Sequence, residues 1–313
     1  MGRVAFIFPG QGSQAIGMGR DFFESYAWAR DILTLAERIT GKPLSKLCFE
    51  GPLEELTLTV NLQPAITAIN LICYQALLDR GIKPGYTAGH SLGEFSALCA
   101  AGVLSVEDTL RLVNLRGELM HRDATARPGA MQAVIGLSAV DLEAIVELAR
   151  DRGIVVAANH NTPSQFVITG ESAAVAAAAP FAKQKGAKTM ALPVSGAWHS
   201  PLMEAAAKDF AAHLETTSFT TPTCPVVLNV TGAAETDPGR LRDMMKQQII
   251  SPVKWCDVIQ TMIQNEVTDF VEVGPKKVLA GLVKKIVPNQ ASVNIFNVED
   301  MAGVEQLAAR SGK

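Results

Sequence analysis

At residues 89–93 the chain reads Gly89-His90-Ser91-Leu92-Gly93, a serine held between two glycines. The apolar residues before it predict the end of a short strand, and residues 94–101 predict the start of a helix. A serine at such a strand-to-helix turn is typical of the nucleophile elbow. We expect Gly89 and Gly93 to be required because larger side chains would collide in so sharp a turn. The pattern therefore predicts a catalytic role for Ser91, against the alternative of a chance string in a Gly-rich turn.

Length and composition limit the classes of protein to which the chain can belong. The 313 residues suit one large domain or one domain that carries an insertion. Hydrophobic residues make up 48% and charged residues 19%, so the chain can bury a sizeable core. The net charge of -3 and the lack of a basic block argue against nucleic acid as a partner.

The cysteines and the apolar segments indicate the compartment. The five cysteines are scattered and form no Cys-x-x-Cys pair, which is typical of a reducing compartment. The five histidines lack ligand spacing, so we expect no metal site, and no pattern requires a cofactor. The apolar run at 4–8 is too short for a signal peptide, and the run at 65–78 is interrupted by polar residues. The sequence thus predicts a soluble, cytoplasmic protein with no membrane partner.

Strands and helices alternate along most of the chain, which predicts an α/β fold with a parallel sheet and helices on both faces. Residues 130–194 differ, because they read strand, helix, strand, strand, helix, strand. This order is typical of the ferredoxin-like arrangement. We therefore expect a ferredoxin-like insertion domain at residues 127–195. The catalytic domain would be discontinuous, formed by residues 1–126 and 196–313.

Local patterns predict several helices. Residues 22–39 are amphipathic, and residues 253–265 read as helical. Gln63-Pro64 begins a strong helix with Pro64 near its first turn, where the missing N–H is harmless. Ser105 has the character of a helix N-cap. Residues 225–229 read as a strand.

A serine hydroxyl needs a base within hydrogen-bond reach. Of the histidines, His199 is favoured because it lies in an irregular loop flanked by Gly and Pro where the chain leaves the insertion. His90 is adjacent to Ser91, and we expect its side chain to point away around the turn. His160, in a predicted loop of the insertion, is the alternative base.

The negative charge of a tetrahedral intermediate requires backbone donors. The amide of Leu92, directly after the nucleophile, is the expected first donor. The second would come from the loop around Gln11, which follows the first strand. An ordinary turn is the alternative interpretation of that loop.

Arg116 lies on a mostly apolar helix, and a buried arginine must be paired. Its planar fork fits a carboxylate in two-point geometry, which would suit an acidic substrate. An ion pair with Glu94 or Glu118 is the structural alternative, and the spacing leaves both open.

Further motifs accompany these residues in order along the chain. They are Phe8-Pro9-Gly10-Gln11-Gly12-Ser13-Gln14, Gln63-Pro64-Ala65, Arg116-Gly117, Gly129-Ala130-Met131, Asn161-Thr162-Pro163-Ser164-Gln165, His199-Ser200-Pro201-Leu202-Met203, Pro252-Val253-Lys254-Trp255 and Glu272-Val273-Gly274-Pro275. With the serine motif they cover essentially the whole chain. In this set and order the chain resembles the malonyl-CoA:acyl carrier protein transacylases of bacterial fatty-acid synthesis and the related acyltransferase domains of polyketide synthases.

The resemblance implies a fold, an activity and roles. The fold would be an α/β-hydrolase-like core with a ferredoxin-like insertion. The activity would be malonyl transfer from malonyl-CoA to acyl carrier protein through an acylated Ser91, with His199 as the base. Backbone carbonyls near Ser251 would orient the imidazole. The oxyanion hole would use Gln11 and Leu92. Substrate would be bound by Arg116, Gln11, Gln63, Asn161 and Gln165.

Two positions depart from the family pattern. Lys276 stands where the family commonly has glycine, in a loop for which we expect no chemical role. Trp198 precedes the histidine at a position where the family varies, and we expect it to narrow the acyl pocket.

Competing functions remain open at this point. A serine esterase or thioesterase would share the serine motif, and a binding protein on an inactive scaffold would share the fold. Arg116 and the Gln11 loop favour acyl transfer, because an esterase does not need a carboxylate clamp. The sequence leaves the pathway, fatty acid or polyketide, undecided.

Overall fold

The computed structural model describes residues 3–194, 196–287 and 293–312. The strands are β1 (Arg3–Phe8), β2 (Tyr86–Gly89), β3 (Ala130–Ile135), β4 (Val155–Thr162), β5 (Gln165–Gly170), β6 (Lys188–Ala191), β7 (Val226–Val227), β8 (Ala234–Glu235), β9 (Val267–Val273) and β10 (Asn294–Val298). The helices are α1 (Arg20–Ser25), α2 (Ala27–Thr40), α3 (Leu44–Glu50), α4 (Leu53–Thr57), α5 (Thr59–Asp79), α6 (Gly93–Ala100), α7 (Val106–Ala126), α8 (Ala139–Ala149), α9 (Ser172–Gln184), α10 (Glu204–Thr216), α11 (Pro238–Gln247), α12 (Trp255–Gln264), α13 (Val278–Ile286) and α14 (Met301–Ser311). Within these ranges no helix is both long and apolar enough to cross a membrane.

The main sheet has its strands in the order β10-β9-β1-β2-β7-β8. Every neighbouring pair is parallel except β7 and β8. The central strands are apolar on both faces, as parallel strands covered by helices require. In β1, Phe6 and Phe8 pack into one core, while Ala5 and Ile7 pack into a second. The predicted α/β architecture with a largely parallel sheet is therefore confirmed.

A second sheet is formed by residues 130–191, which fold in the predicted order of strand, helix, strand, strand, helix, strand. Its strands are antiparallel and lie in the order β4-β5-β3-β6. Val134 and Phe166 pair across this sheet and pack in the core with α8 and α9. Their neighbours Ala133 and Val167 line a pocket between the two sheets. Residue 195, the expected end of the insertion, lies outside the described residues.

The helix expected at Gln63-Pro64 begins earlier than its sequence indicates. α5 starts at Thr59, so Pro64 lies in its interior and the prediction of a first-turn proline is wrong. Proline lacks an N–H and leaves the carbonyl four residues before it without its helical partner. The Lys42 ammonium donates to that carbonyl, on Val60, over 2.9 Å. A contact with a distant residue thus allows the helix to include the proline.

Other boundaries also differ from the predictions. Residues 22–39 form parts of two helices, because Tyr26 is extended between α1 and α2 with φ -123° and ψ 132°. The strand expected at 225–229 is reduced to β7, and the helix expected at 253–265 begins at Trp255. The sequence patterns did not predict β8, β10 or α14. Ser105 does cap α7, since its hydroxyl accepts from the Asp108 amide.

Candidate active site

Ser91 lies at the tip of the turn between β2 and α6, with φ of 51°. An L-residue rarely adopts this left-handed conformation. A Cβ atom on Gly89 would lie 1.9 Å from the carbonyl carbon of Gly93. A Cβ atom on Gly93 would lie 2.0 Å from the carbonyl oxygen of Phe8, on the adjacent strand. Both distances are far below van der Waals contact, which confirms the steric reason for the two glycines.

His199 is hydrogen-bonded to the serine. Its Nε2 lies 2.7 Å from Ser91 Oγ. Its Nδ1 lies 2.9 Å from the carbonyl oxygen of Ser251 and 3.1 Å from that of Gln248. Since both partners of Nδ1 are acceptors, Nδ1 carries the proton and Nε2 is the acceptor for the serine hydroxyl. The expectation that backbone carbonyls near Ser251 orient the imidazole is confirmed.

The surroundings keep the His199 imidazole neutral. Burial, followed by the nearby Arg116 and His90, lowers the pKa of His199 to about 3. A general base must be unprotonated before it accepts a proton. At neutral pH the imidazole is therefore in the form that can take the proton from Ser91.

Arg116 is almost fully buried and reaches Ser91 from α7. Its Nη2 donates to Ser91 Oγ over 3.1 Å, and its Nη1 donates to Gln63 Oε1 over 2.8 Å. Nε and Nη2 donate to Gln248 Oε1 over 3.2 and 3.0 Å. Burial lowers the pKa of Arg116 to about 10, and the charge of Glu94 opposes the shift, so the guanidinium remains charged at neutral pH.

The structural alternative for Arg116 is wrong. Glu118 instead lies 3.9 Å from the Lys42 ammonium and accepts from Asn114. The carboxylate of Glu94 accepts from Asn229 and Gln248. In the part of the chain that the structure describes, no carboxylate lies within ion-pair distance of Arg116. The guanidinium is held by neutral oxygen atoms.

The two expected oxyanion donors lie on loops that contact each other. A Cβ atom on Gly10 would lie 2.5 Å from the His90 carbonyl oxygen and 3.5 Å from the Leu92 nitrogen. Leu92 and Gln11 both line the pocket. The amide of Ser91 is already committed, since it donates to Asn229 Oδ1 over 2.7 Å. The Ser91 amide is therefore not a free donor, and the oxyanion role of Gln11 and Leu92 stays a prediction.

The pocket between the two sheets encloses about 290 Å³. All of the predicted site residues line it. Gln63 contacts Arg116 directly, whereas Asn161 and Gln165 lie on the opposite wall, on β4 and β5. Asn161 Oδ1 lies 2.8 Å from His90 Nε2, and Gln165 Oε1 accepts from the Lys285 ammonium over 3.4 Å.

Of the two predictions about histidines near the site, the one on His160 is wrong. The His90 side chain contacts Asn161 and packs against Trp255, and His90 is among the residues that line the pocket, so the expectation that it points away around the turn stays a prediction. His160 lies in strand β4 instead of a loop, and its ring stacks on Phe166 with centroids 4.6 Å apart.

Sequence reasoning missed Gln248 and Asn229, and it named Glu94 only as an alternative ion-pair partner of Arg116. Asn229 holds both sides of the serine turn, because its Oδ1 accepts from the Ser91 amide and its Nδ2 donates to the Gly89 carbonyl. Asn229 could have been found from the sequence, because it is a polar residue just after a buried strand. Ligand sites in parallel sheets lie at the carboxyl ends of the strands. Gln248 follows a helix and carries no recognisable pattern.

Trp198 lines the pocket next to His199, and its narrowing of the acyl pocket stays a prediction. The other departure, Lys276, has φ of 62°, a conformation that glycine adopts without strain. Its amide donates to the Glu299 carboxylate, away from the pocket.

Comparison with known proteins places the chain in a family. A model described as an acyl transferase domain matches residues 5–305. A malonyl CoA-acyl carrier protein transacylase of Bacillus subtilis (strain 168) is 41% identical over 288 residues, which are 91% of this chain and 91% of that protein. The crystal structure of an acyl carrier protein S-malonyltransferase from Vibrio cholerae O1 biovar eltor str. N16961 has a TM-score of 0.92 and 38% identity, covering 97% of this chain and 99% of the other.

A further structural relative is a malonyl-transacylase in complex with its type II PKS acyl-carrier protein. It has a TM-score of 0.94 and 35% identity and covers 98% of this chain and 99% of that one. The family match spans nearly the whole chain and includes the serine, the histidine and the arginine described above. The chain belongs to the acyl transferase domain family.

Proposed function

We propose that this protein transfers the malonyl group of malonyl-CoA to the phosphopantetheine thiol of acyl carrier protein, by a ping-pong mechanism through a malonyl ester of Ser91. One observation carries the proposal: a buried guanidinium with no carboxylate partner among the described residues lies 3.1 Å from a serine that is hydrogen-bonded to a neutral histidine. A nucleophile and a carboxylate receptor side by side suit an acyl group that carries its own carboxylate.

In the first half-reaction His199 Nε2 takes the proton of Ser91 as Oγ attacks the thioester carbonyl of malonyl-CoA. The amides of Gln11 and Leu92 hold the oxyanion of the tetrahedral intermediate. The C–S bond then breaks, and the imidazolium returns its proton to the departing CoA sulfur. The product is free CoA thiol and malonyl-Ser91.

In the second half-reaction the carrier-protein thiol gives its proton to His199 Nε2, and the sulfur attacks the ester carbonyl. The same two amides hold the second oxyanion. The C–O bond to Ser91 breaks, and the imidazolium returns the proton to Oγ. The Ser251 carbonyl stabilises the imidazolium in both halves, in the role that a carboxylate has in a triad.

The substrate carboxylate binds to Arg116, and Gln63 keeps the guanidinium oriented. The Gln63 amide is itself fixed, because its Nε2 donates to Thr59 Oγ1 over 2.8 Å, which leaves Oε1 for Arg116. Asn161 and Gln165 offer amide groups on the opposite wall, where the arm of the thioester enters.

We also propose that residues 127–195 are a ferredoxin-like insertion in a discontinuous catalytic domain formed by residues 1–126 and 196–313. The antiparallel order β4-β5-β3-β6 with two helices on one face supports the first part. The serine turn after a central parallel strand supports an α/β-hydrolase-like core. We assign the activity to the cytoplasm because all five cysteines are free thiols.

The proposal is tested by incubating the protein with malonyl-CoA and holo acyl carrier protein and separating malonyl-carrier protein from free malonate. We expect malonyl-carrier protein as the main product. Malonate as the main product in the presence of carrier protein would instead assign a thioesterase, the competing serine-hydrolase function.

A further inference from the structure

Gln248 contacts several groups of the active site, although no pattern in the sequence indicated a role for it. Its side chain is buried, with 1% of its surface exposed. Its Nε2 donates to the Ser91 carbonyl over 2.8 Å and to Glu94 Oε2 over 3.0 Å. Its Oε1 accepts two N–H groups of Arg116. One amide thus connects the nucleophile, the guanidinium and a buried carboxylate.

The orientation of this amide is determined by its neighbours. Exchanging the oxygen and nitrogen of Gln248 would bring its N–H groups against the N–H groups of Arg116 and its oxygen against two acceptor oxygens. Both changes would replace attractive contacts with repulsive ones. The Gln248 oxygen therefore faces Arg116, and its nitrogen faces Glu94.

Glu94 is the carboxylate that a buried Arg116 would otherwise use. Glu94 is fully buried, and its Oε1 accepts from the backbone amide of Asn229 over 2.8 Å. A direct pair with Arg116 would give two strong charge-assisted hydrogen bonds. A substrate carboxylate would then have to displace Glu94 before it could bind. The Gln248 amide lies between the two groups and prevents that pair.

We propose that Gln248 is a positioning residue that orients Arg116 with a neutral acceptor and separates it from Glu94, so that the substrate carboxylate becomes the ion-pair partner of the guanidinium. The assignment rests on the proposed malonyl transfer, since it explains how the carboxylate site stays available. Selectivity arises because substrates without a carboxylate leave the buried charge unpaired.

Gln248→Glu keeps the shape of the side chain and places a carboxylate against Arg116, while its second oxygen replaces the amide nitrogen that faces the Ser91 carbonyl and Glu94. We expect kcat/KM for malonyl-CoA to fall by about 10- to 100-fold, the range of one hydrogen bond to a charged group. The fall should lie mainly in KM, and kcat/KM for acetyl-CoA should fall much less. Gln247→Glu adds the same charge at the adjacent exposed position and should change neither substrate by more than about twofold.

Gln248→Met supplies a second variant that introduces no charge. It keeps the backbone carbonyl that His199 uses and removes all four hydrogen bonds of the side-chain amide. We again expect a larger loss for malonyl-CoA than for acetyl-CoA, because Arg116 is no longer oriented. This variant decides the question if Gln248→Glu does not fold, as judged by thermal unfolding.

A double-mutant cycle with Arg116→Ala separates positioning from simple support of the fold. In the Arg116→Ala background, Gln248→Glu should leave the malonyl-to-acetyl ratio unchanged. Equal losses for both substrates in the single variants would overturn the assignment of Gln248 while leaving malonyl transfer intact. Failure of the unsubstituted protein to prefer malonyl-CoA would overturn the proposed function, and this assignment with it.

Discussion

At the scale of single residues, both members of the Ser91–His199 pair have unfavourable backbone conformations. Ser91 has φ of 51° and His199 has φ of 60°. The other non-glycine residues with positive φ in the described ranges are Glu266 and Lys276. Such a conformation costs on the order of 1–3 kcal/mol of folding free energy per residue. The rest of the fold offsets this cost, and the two side chains meet within hydrogen-bond distance as a result.

His199→Ala tests the base. We expect both half-reactions to slow by about 10²–10⁴-fold, because neither the serine nor the incoming thiol can then pass its proton to an imidazole. Rapid-quench measurement of acyl-enzyme formation and of transfer to carrier protein gives the two rates. His213→Ala, at an exposed histidine on α10, is the control and should react normally. A normal acylation rate in His199→Ala would contradict the assignment.

The role of Arg116 as the carboxylate partner is tested by the selectivity between malonyl-CoA and acetyl-CoA. Arg116→Ala removes the carboxylate partner, and we expect kcat/KM for malonyl-CoA to drop by an amount equivalent to about 3–5 kcal/mol. Acetyl-CoA should gain relative to malonyl-CoA, because no unpaired guanidinium then penalises it. Arg116→Lys should recover only part of the loss, since a point charge lacks the two-point contact. An unchanged malonyl-to-acetyl ratio in Arg116→Ala would reduce Arg116 to a structural residue.

Site residues that lie in recognisable local patterns could be predicted from the sequence. Residues that reach the site only through contacts with distant parts of the chain could not. Ser91 has a glycine-flanked turn around it, and His199 lies in an irregular loop, so both could be predicted. Gln248 and Asn229 are ordinary amides until the chain folds. Each contacts the serine turn from more than a hundred residues away in the sequence.

At the scale of elements, the strand–turn–helix unit depends on close backbone contact. Gly93→Ala would force α6 away from β1, because its Cβ would lie 2.0 Å from the Phe8 carbonyl oxygen. We expect the free energy of unfolding to fall by about 3 kcal/mol, the upper part of the usual overpacking range. Denaturant unfolding measures it.

The matched control for Gly93→Ala is Gly281→Ala on α13, where an added Cβ meets no atom within 4 Å. Alanine there should raise stability by about 0.5–1 kcal/mol, because it restricts the unfolded chain more than glycine does. Equal effects of the two substitutions would show that the close contact at the serine turn does not govern stability.

Most of the element order could be predicted because hydrophobic periodicity is local, but β8, β10, α14 and several element ends could not. α5 includes Pro64, and the Lys42 ammonium donates to the Val60 carbonyl that the proline leaves without its helical partner. The helix predicted from residue 253 starts later because Val253 pairs with Asn159 of the second sheet. In both places a distant partner, absent from the local pattern, decides the boundary.

At the scale of the whole molecule, the site depends on how the two sheets meet. Strand β4 of the second sheet is joined to the chain before α12, since the Val253 amide donates to Ala158 and the His160 amide donates to Val253. The pocket is therefore walled by both sheets. The sequence predicted the two sets of elements separately, and nothing in it specified this contact.

The central claim is that catalysis passes through a malonyl ester of Ser91. Intact-mass measurement after brief incubation with malonyl-CoA tests it directly, on the unsubstituted protein, on Ser91→Ala and on Ser13→Ala, which removes another serine that lines the same pocket. We predict one malonyl group on the unsubstituted protein and on Ser13→Ala, and none on Ser91→Ala. A malonyl adduct that persists on Ser91→Ala would contradict the account.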